Sequence, residues 1–278
     1  MPVGWEWDDT LFAGAAPYYR RGRLPYAPGL SGLLARELGL DGRGRLLDVG
    51  CGPGVLALEL AHLFGEVVGV DPDGGMIAEA ERLAAGVAGR ARWVRTRAED
   101  LPAGLGTFTV ATFGQSFHWM ERDVVAATVR DMLCPDGALV HVSDLKAERR
   151  SVDGLPHPAV PYAGIGELVA RYLGPVRRAG RGVLPHGTPA GESEVYRRAG
   201  FSGPRRHVLP GGQVVERTCD DVVAWVYSNS SSAPHLFGAR RGGFEADLGR
   251  LLRAASPSGR FSERLPSTEV VVWRNAAR

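Results

Sequence analysis

Apolar residues recur at helical spacing over 30–40, where Leu30, Leu33, Leu34 and Leu38 define one face of an amphipathic helix. Asp41-Gly42-Arg43-Gly44 ends it. The pattern then changes. Short runs dense in Leu, Val and Phe at 45–49, 66–70, 91–95, 107–112 and 137–143 read as strands, and the stretches 54–64, 74–86 and 121–132 between them carry helical spacing. Such alternation predicts βαβ units, hence a doubly wound α/β domain whose mostly parallel sheet has helices on both faces. Ligands of such sheets bind beyond the carboxyl ends of the strands, near the topological switch point.

Beyond Asp144 the pattern loosens. Residues 150–190 are rich in Gly and Pro; a short helix at 191–199 leads to Gly200-Phe201 and a strand near 205–209. Helical stretches at about 218–229 and 234–255 precede a last strand, Glu269-Val270-Val271-Val272-Trp273. The expected layout is a ligand-binding core over 1–145 with an N-terminal helical segment. Residues 146–278 then complete the same domain, with a helical insertion over about 150–255 that shapes a substrate pocket before the final strand.

Composition narrows the class. A chain of 278 residues with 44% hydrophobic content can bury one large α/β core. No apolar run is long enough to span a bilayer. The acidic start Met1-Pro2-Val3-Gly4-Trp5-Glu6 lacks a signal peptide's features, so a cytoplasmic protein is expected. Cys51, Cys134 and Cys219 are too few and too scattered for a disulfide framework or a zinc site. Net charge is only +2, and the basic residues (all arginine except Lys146) are spread along the chain. Nucleic-acid binders concentrate positive charge, so no nucleic-acid partner is expected. The oligomeric state is not legible.

Chemistry concentrates where the first strand ends. Leu46-Leu47-Asp48-Val49-Gly50-Cys51-Gly52-Pro53-Gly54 places Gly50, Gly52 and Gly54 between a strand and a helix. Glycines there allow a tight turn and let a ligand approach the backbone. A dinucleotide fingerprint needs glycine where Val55 stands, which disfavours a pyrophosphate site. Asp71 closes the second strand and can accept both hydroxyls of a ribose, or else cap the following helix, a role Asp73 can also fill.

With these residues in view, LLDVGCGPG, GVDPDGGM, RAEDLP and ATFGQSFHWM, in that order, resemble the class I S-adenosylmethionine-dependent methyltransferases. Within them the chain is similar to the small-molecule branch that includes trans-aconitate methyltransferase relatives. The resemblance covers residues 18–145, including Tyr18-Tyr19-Arg20-Arg21-Gly22-Arg23-Leu24-Pro25-Tyr26, and the remainder more loosely. It implies a Rossmann-like seven-stranded sheet and S-adenosyl-L-methionine as cofactor. Gly50 and Gly52 would approach the methionine part, with Asp48 ordering the loop. Asp71 would bind the ribose, and Pro72 and Met76 would flank the adenine. The Ala98 amide and the Glu99 side chain would address the adenine edge, and Gln115, with Tyr19 or Arg20, the amino-acid end.

Methyl transfer from a sulfonium is chiefly a matter of alignment, which can supply up to ~7–11 kcal/mol. A base is needed only when the attacking atom must lose a proton. His118, after the fourth strand, is the first candidate, against the alternative that His118 and Trp119 pack the loop over the cofactor. His141, toward the end of the fifth strand, is the second. His157, His186, His207 and His235 read as surface or pocket-lining groups. No histidine pair has metal-ligand spacing with a nearby carboxylate, so no metal is expected. Cys134-Pro135 reads as the turn into the fifth strand rather than as a nucleophile.

The leading expectation is a methyltransferase acting on a hydroxyl or carboxylate oxygen of a small metabolite, as in secondary metabolism. N- or C-methylation, a non-methylating reaction on the same fold, and a binding protein with a vestigial site are the alternatives. Intact glycines with Asp71 and Glu99 argue against the last.

Overall fold

A computed structural model describes residues 8, 10–86, 90–145, 154–179, 182–183 and 191–275 of the chain. The elements are α1 (Ala16–Gly22), α2 (Leu30–Leu38), β1 (Arg45–Val49), α3 (Val55–Leu60), β2 (Glu66–Asp71), α4 (Gly74–Leu83), β3 (Ala91–Arg95), β4 (Phe108–Gly114), α5 (Arg122–Met132) and β5 (Leu133–Asp144). They continue with α6 (Tyr162–Leu173), β6 (Arg178–Ala179), β7 (Gly182–Val183), α7 (Glu192–Arg198), β8 (Ser202–Leu209), β9 (Val214–Thr218), α8 (Cys219–Tyr227), α9 (Arg241–Ala255), β10 (Arg260–Arg264) and β11 (Thr268–Arg274).

Seven strands form one sheet in the order β3-β2-β1-β4-β5-β11-β8. The first five run parallel, and β11 lies antiparallel between β5 and β8. Chain order reverses between β1 and β4, and that switch point is where the site lies. The Rossmann-like seven-stranded expectation holds.

β1, β2, β4 and the second half of β5 are largely apolar because both faces are covered. Consecutive residues point to opposite sides. Leu47, Val49, Val68, Val70, Phe113 and Leu139 pack with α5 and α7. Their neighbours Leu46, Val67, Val110 and Val140 pack with α2 and α3 on the other face. A separate apolar cluster joins Ile165 and Leu168 of α6, Val222 and Tyr227 of α8, Phe244 and Leu248 of α9, and Phe261 of β10.

The region after Asp144 is more ordered than its Gly and Pro content suggests. Ile165, Leu168 and Tyr172 keep helical spacing between Pro161 and Gly174, and they form α6. Neither α6 nor α1 was expected as a helix from the pattern. The stretch 234–255 is not one helix: a 3-10 segment, Pro234–Arg240, broken at Gly238 (φ 51°), precedes α9. β9 and β10 pair with each other across more than forty residues, a contact that local pattern does not announce. α7 and β8 belong to the sheet layers, so the elements outside them come in two stretches, one before α7 and one after β8.

α1 is bound to α8 rather than to the sheet. A Cβ on Gly22 would lie 2.4 Å from the Ala224 carbonyl, so glycine is what permits the approach. Arg217, buried with Glu263, donates to the Gly22 and Asp221 carbonyls at 2.8 and 2.9 Å. Arg21 pairs with Asp221, whose carboxylate completes the capping box of α8 with Thr218.

Candidate functional site

β1 ends at Val49, and the Gly50 and Cys51 amides donate to the Val70 carbonyl at 2.8 and 3.0 Å, which bends the loop toward β2. Gly50, Gly52 and Gly54 all have positive φ: 68°, 53° and 77°. Their surroundings differ. A Cβ on Gly50 would meet Ser116 Cβ at 2.6 Å and the Met120 methyl at 2.9 Å; one on Gly54 would meet the Trp93 ring at 2.4 Å. Gly52 alone has nothing within 4 Å, so its face opens into the cleft.

The cleft has two lobes beyond the strand ends. The first, about 660 Å³, is lined by the glycine loop, Asp71, Pro72, Met76, Ala98 and Trp119 among others. Asp71 Oδ2 accepts from the Gly52 amide and Oδ1 from the Asp73 amide, both at 2.9 Å. Burial pushes the Asp71 carboxyl up to about 6 despite these hydrogen bonds. Each oxygen keeps a further lone pair for a ligand hydroxyl. Asp73, not Asp71, caps α4, accepting from the Gly75 and Met76 amides. Glu99 accepts from the Glu121 amide at 2.9 Å and lies 3.4 Å from Arg97, tying the lobe's rim to the start of α5. Phe12 meets Trp119 edge to face at 6.2 Å, and both rings line the lobe.

The second lobe, about 1510 Å³, shares Tyr19, Gly50, Gly52, Gln115 and Trp119 with the first and is otherwise more polar. Gln115 sits at φ 55°, uncommon for a residue with a side chain, held by its amide on the Val142 carbonyl. Its Nε2 donates to Asp144 Oδ2 at 2.8 Å. Asp48 is buried beneath the loop and accepts from Thr112 Oγ1 at 2.8 Å; burial pushes its carboxyl up to about 7. His118 lines this lobe with its ring 4.8 Å from that of Trp119. The far wall comes from α8 and β10: Trp225, Asn229, Ser230 and Glu263, the last accepting from Tyr162 Oη at 2.5 Å and Arg217 at 3.1 Å.

Ten of the eleven residues expected around a cofactor line one lobe or the other: Tyr19, Asp48, Gly50, Gly52, Asp71, Pro72, Met76, Ala98, Glu99 and Gln115. Arg20 does not. It is exposed on α1 and its charge acts on Glu79 of α4, whereas Arg23, one turn further, faces the cleft. Arg23 follows α1 in extended backbone (φ −86°, ψ 141°), so its direction is not set by helical spacing from Arg20. Of the two histidines, only His118 reaches the cleft. His141 lies on the face covered by α7, where Nδ1 is 3.1 Å from Tyr196 Oη and burial lowers its pKa. His157 meets Glu216, His207 lies 3.4 Å from Glu37, and His235 is bonded to the Ala13 carbonyl. His186 lies outside the described residues. Phe12 and Glu263 were not singled out, because the turn and the β9–β10 pairing that bring them in are tertiary.

With this geometry in hand, residues 46–137 match the family described as "Methyltransferase domain". Over those residues, about a third of its length, the chain is similar to methyltransferase domains. The methyltransferase family of this fold uses S-adenosylmethionine. A candidate methyltransferase of Dictyostelium discoideum is 24% identical over 180 residues, 64% of this chain and 65% of that protein. Malonyl-(acyl-carrier protein) O-methyltransferase of Enterobacter lignolyticus is 28% identical over 167 residues, 56% of this chain and 63% of its own length. The aligned part thus spans just under two thirds of each relative. A solved candidate type II methyltransferase of Anaeromyxobacter dehalogenans shares the fold with TM-score 0.53 and 21% identity, covering 92% of this chain and 100% of that one. Among the described residues, no helix is long and apolar enough to cross a membrane.

Proposed function

We propose that the protein transfers a methyl group from S-adenosylmethionine to an oxygen of a small-molecule acceptor, a hydroxyl or a carboxylate. The observation that carries this reading is the two-lobed cleft at the switch point, whose lobes share the Gly50–Gly52 loop, Tyr19, Gln115 and Trp119. A donor in the first lobe would have its amino-acid end beside the residues that also border the second.

The residues fit an adenosyl group. Asp71 has lone pairs for the ribose hydroxyls, Pro72, Met76 and Trp119 offer apolar contact to a base, and Gly52 leaves room for ligand atoms against the backbone. Gln115 and Asp48 would serve the amino-acid end. When bound, S-adenosylmethionine supplies a methyl whose bond to sulfur breaks as the acceptor oxygen attacks. The chain's work is then to align the acceptor and exclude water, which Phe12, Trp119 and Trp225 favour around the lobes. For a hydroxyl acceptor, His118 is the base that receives the proton. A carboxylate acceptor has no proton to lose. The Enterobacter relative's name specifies O-methylation, which agrees with an oxygen acceptor.

The test is incubation with methyl-labelled S-adenosylmethionine and panels of phenols, alcohols and organic acids. Labelled product with stoichiometric S-adenosylhomocysteine is expected. Turnover of an acceptor without S-adenosylhomocysteine would overturn the reading.

A further inference from the structure

The far wall of the second lobe holds a carboxylate that binding of the donor does not use. Glu263 stands on β10 opposite Val215 and diagonal to Arg217 across the β9–β10 ladder, so the Glu263 and Arg217 side chains share one face. Glu263 lines the lobe although only 5% of its side chain is exposed. Oε1 accepts from Tyr162 Oη at 2.5 Å and Oε2 from Arg217 Nη1 at 3.1 Å, which fixes the carboxylate from two sides.

Neutralising Arg217 is one reason for a carboxylate here. A buried ion pair adds little net stability over apolar residues of the same volume, so stability alone does not account for placing the pair against a cleft. Each carboxylate oxygen can accept two hydrogen bonds, and each here receives one from the protein. Beside it the wall offers a flat apolar surface. The Tyr162 ring meets Trp225 edge to face with centres 4.6 Å apart, so the indole lining the lobe stands next to the group bonded to Glu263. Ser228 Oγ and Asn229 Nδ2 both donate to the Trp225 carbonyl, which ties down the end of α8.

Charge decides what can sit against this wall. A ligand carboxylate would meet Glu263 as a like charge, and an ammonium would have the Arg217 guanidinium just behind the carboxylate it met. A hydroxyl avoids both costs, being neutral and able to donate to an ionised oxygen, the stronger kind of hydrogen bond.

We propose that Glu263 determines acceptor specificity: it receives a hydrogen bond from a hydroxyl remote from the methylated atom, on an aromatic ring that rests against Trp225. That this ligand is the methyl acceptor rests on the function proposed above. Binding of the hydroxylated ring does not.

Calorimetry on the full chain, with S-adenosylhomocysteine present and absent, compares 4,4′-dihydroxybiphenyl with 4-hydroxybiphenyl, which differ only in one terminal hydroxyl. The wild type should bind the dihydroxy compound roughly 10-fold or more tightly. Glu263→Gln should remove that preference while affinity for 4-hydroxybiphenyl and for S-adenosylhomocysteine holds. Glu263→Asp keeps a counter-charge for Arg217 but withdraws the carboxylate by one methylene. It should also lose the preference, and it decides the matter if Glu263→Gln does not fold. The inference falls if the wild type binds neither biphenyl or binds both equally. It also falls if the variants keep the preference, which would leave Glu263 as the counter-ion of Arg217 alone. If S-adenosylhomocysteine does not bind but the preference exists and is lost in the variants, the donor reading fails and this inference stands.

Discussion

Gly50, Gly52 and Gly54 belong to one motif, yet the structure gives each a separate reason. Gly54 makes room for Trp93, Gly50 for Ser116 and Met120, and only Gly52 faces open space. Asp71 is tied to that loop through the Gly52 amide, so it serves the loop as well as any ligand. Asp71→Ala is expected to weaken S-adenosylhomocysteine binding by roughly 1–3 kcal/mol, read by calorimetry; unchanged affinity would confine the carboxylate to the loop. Because burial pushes this carboxyl up to about 6 and the ionised form is the better acceptor, nucleoside affinity should be full above pH 6 and fall as pH drops through it. At His118 the expected outcome depends on the acceptor. With a hydroxyl substrate, His118→Ala should lower kcat by about 10²-fold or more while S-adenosylhomocysteine affinity holds, whereas a carboxylate substrate should lose far less. Normal turnover of a hydroxyl acceptor across pH would return His118 to packing against Trp119.

Among the elements, α1 has a position its sequence does not specify. Seven residues are too few to be helical alone, and α1 is held by α8 through Gly22 and through Arg217, Arg21 and Arg23. It thereby carries Tyr19 over the glycine loop and Arg23 into the second lobe. Gly22→Ala should therefore cost about 1–3 kcal/mol in urea unfolding, the usual range for overpacking, and weaken nucleoside binding as well. Stability lost with binding intact would show that α1 shapes only the outer wall. The same dependence on neighbours explains what helical and strand spacing could not place. Arg20 lies on α1, whereas Arg23 is its C-cap in extended backbone, so helical spacing does not say where Arg23 points. His141 sits at a strand position expected to face the ligand, yet α7 covers it. The strands β1, β2, β4 and β5 were legible because burial on both faces leaves a run of apolar residues, whereas β9 is largely exposed and pairs with β10 over a long separation.

For the whole molecule, two buried carboxyls should set the pH dependence of stability. Asp48 is pushed up to about 7 and Asp71 to about 6, both from an ordinary value near 3.8. Between about pH 4 and 7 the native state then holds protons that the unfolded chain has released. Stability should fall as pH rises across that window and level off above it. Glu66 and Glu79, held below the usual carboxylate range by hydrogen bonds from Arg45 and Arg82, act in the opposite sense below about pH 4.5, though such surface pairs contribute little. Urea unfolding at pH 5 and pH 8 checks this, and Asp48→Asn should shrink the difference while Thr112 keeps its acceptor. An unchanged difference would mean that Asp48 ionises freely in the native state.

By itself the sequence determined the sheet, the loop after β1 and the residues around the first lobe, because strand periodicity, glycine spacing and an acid at the end of β2 are local patterns with local causes. Only the tertiary structure decided the second lobe. Its walls come from α1, the end of β5, α8 and β10, brought together by the Gly22–Ala224 approach, the Arg217–Glu263 pair and the β9–β10 ladder. Those contacts join residues some forty to two hundred positions apart. No periodicity along the chain encodes such pairings, so which arginine and which histidine reach the cleft became readable only once the elements had docked.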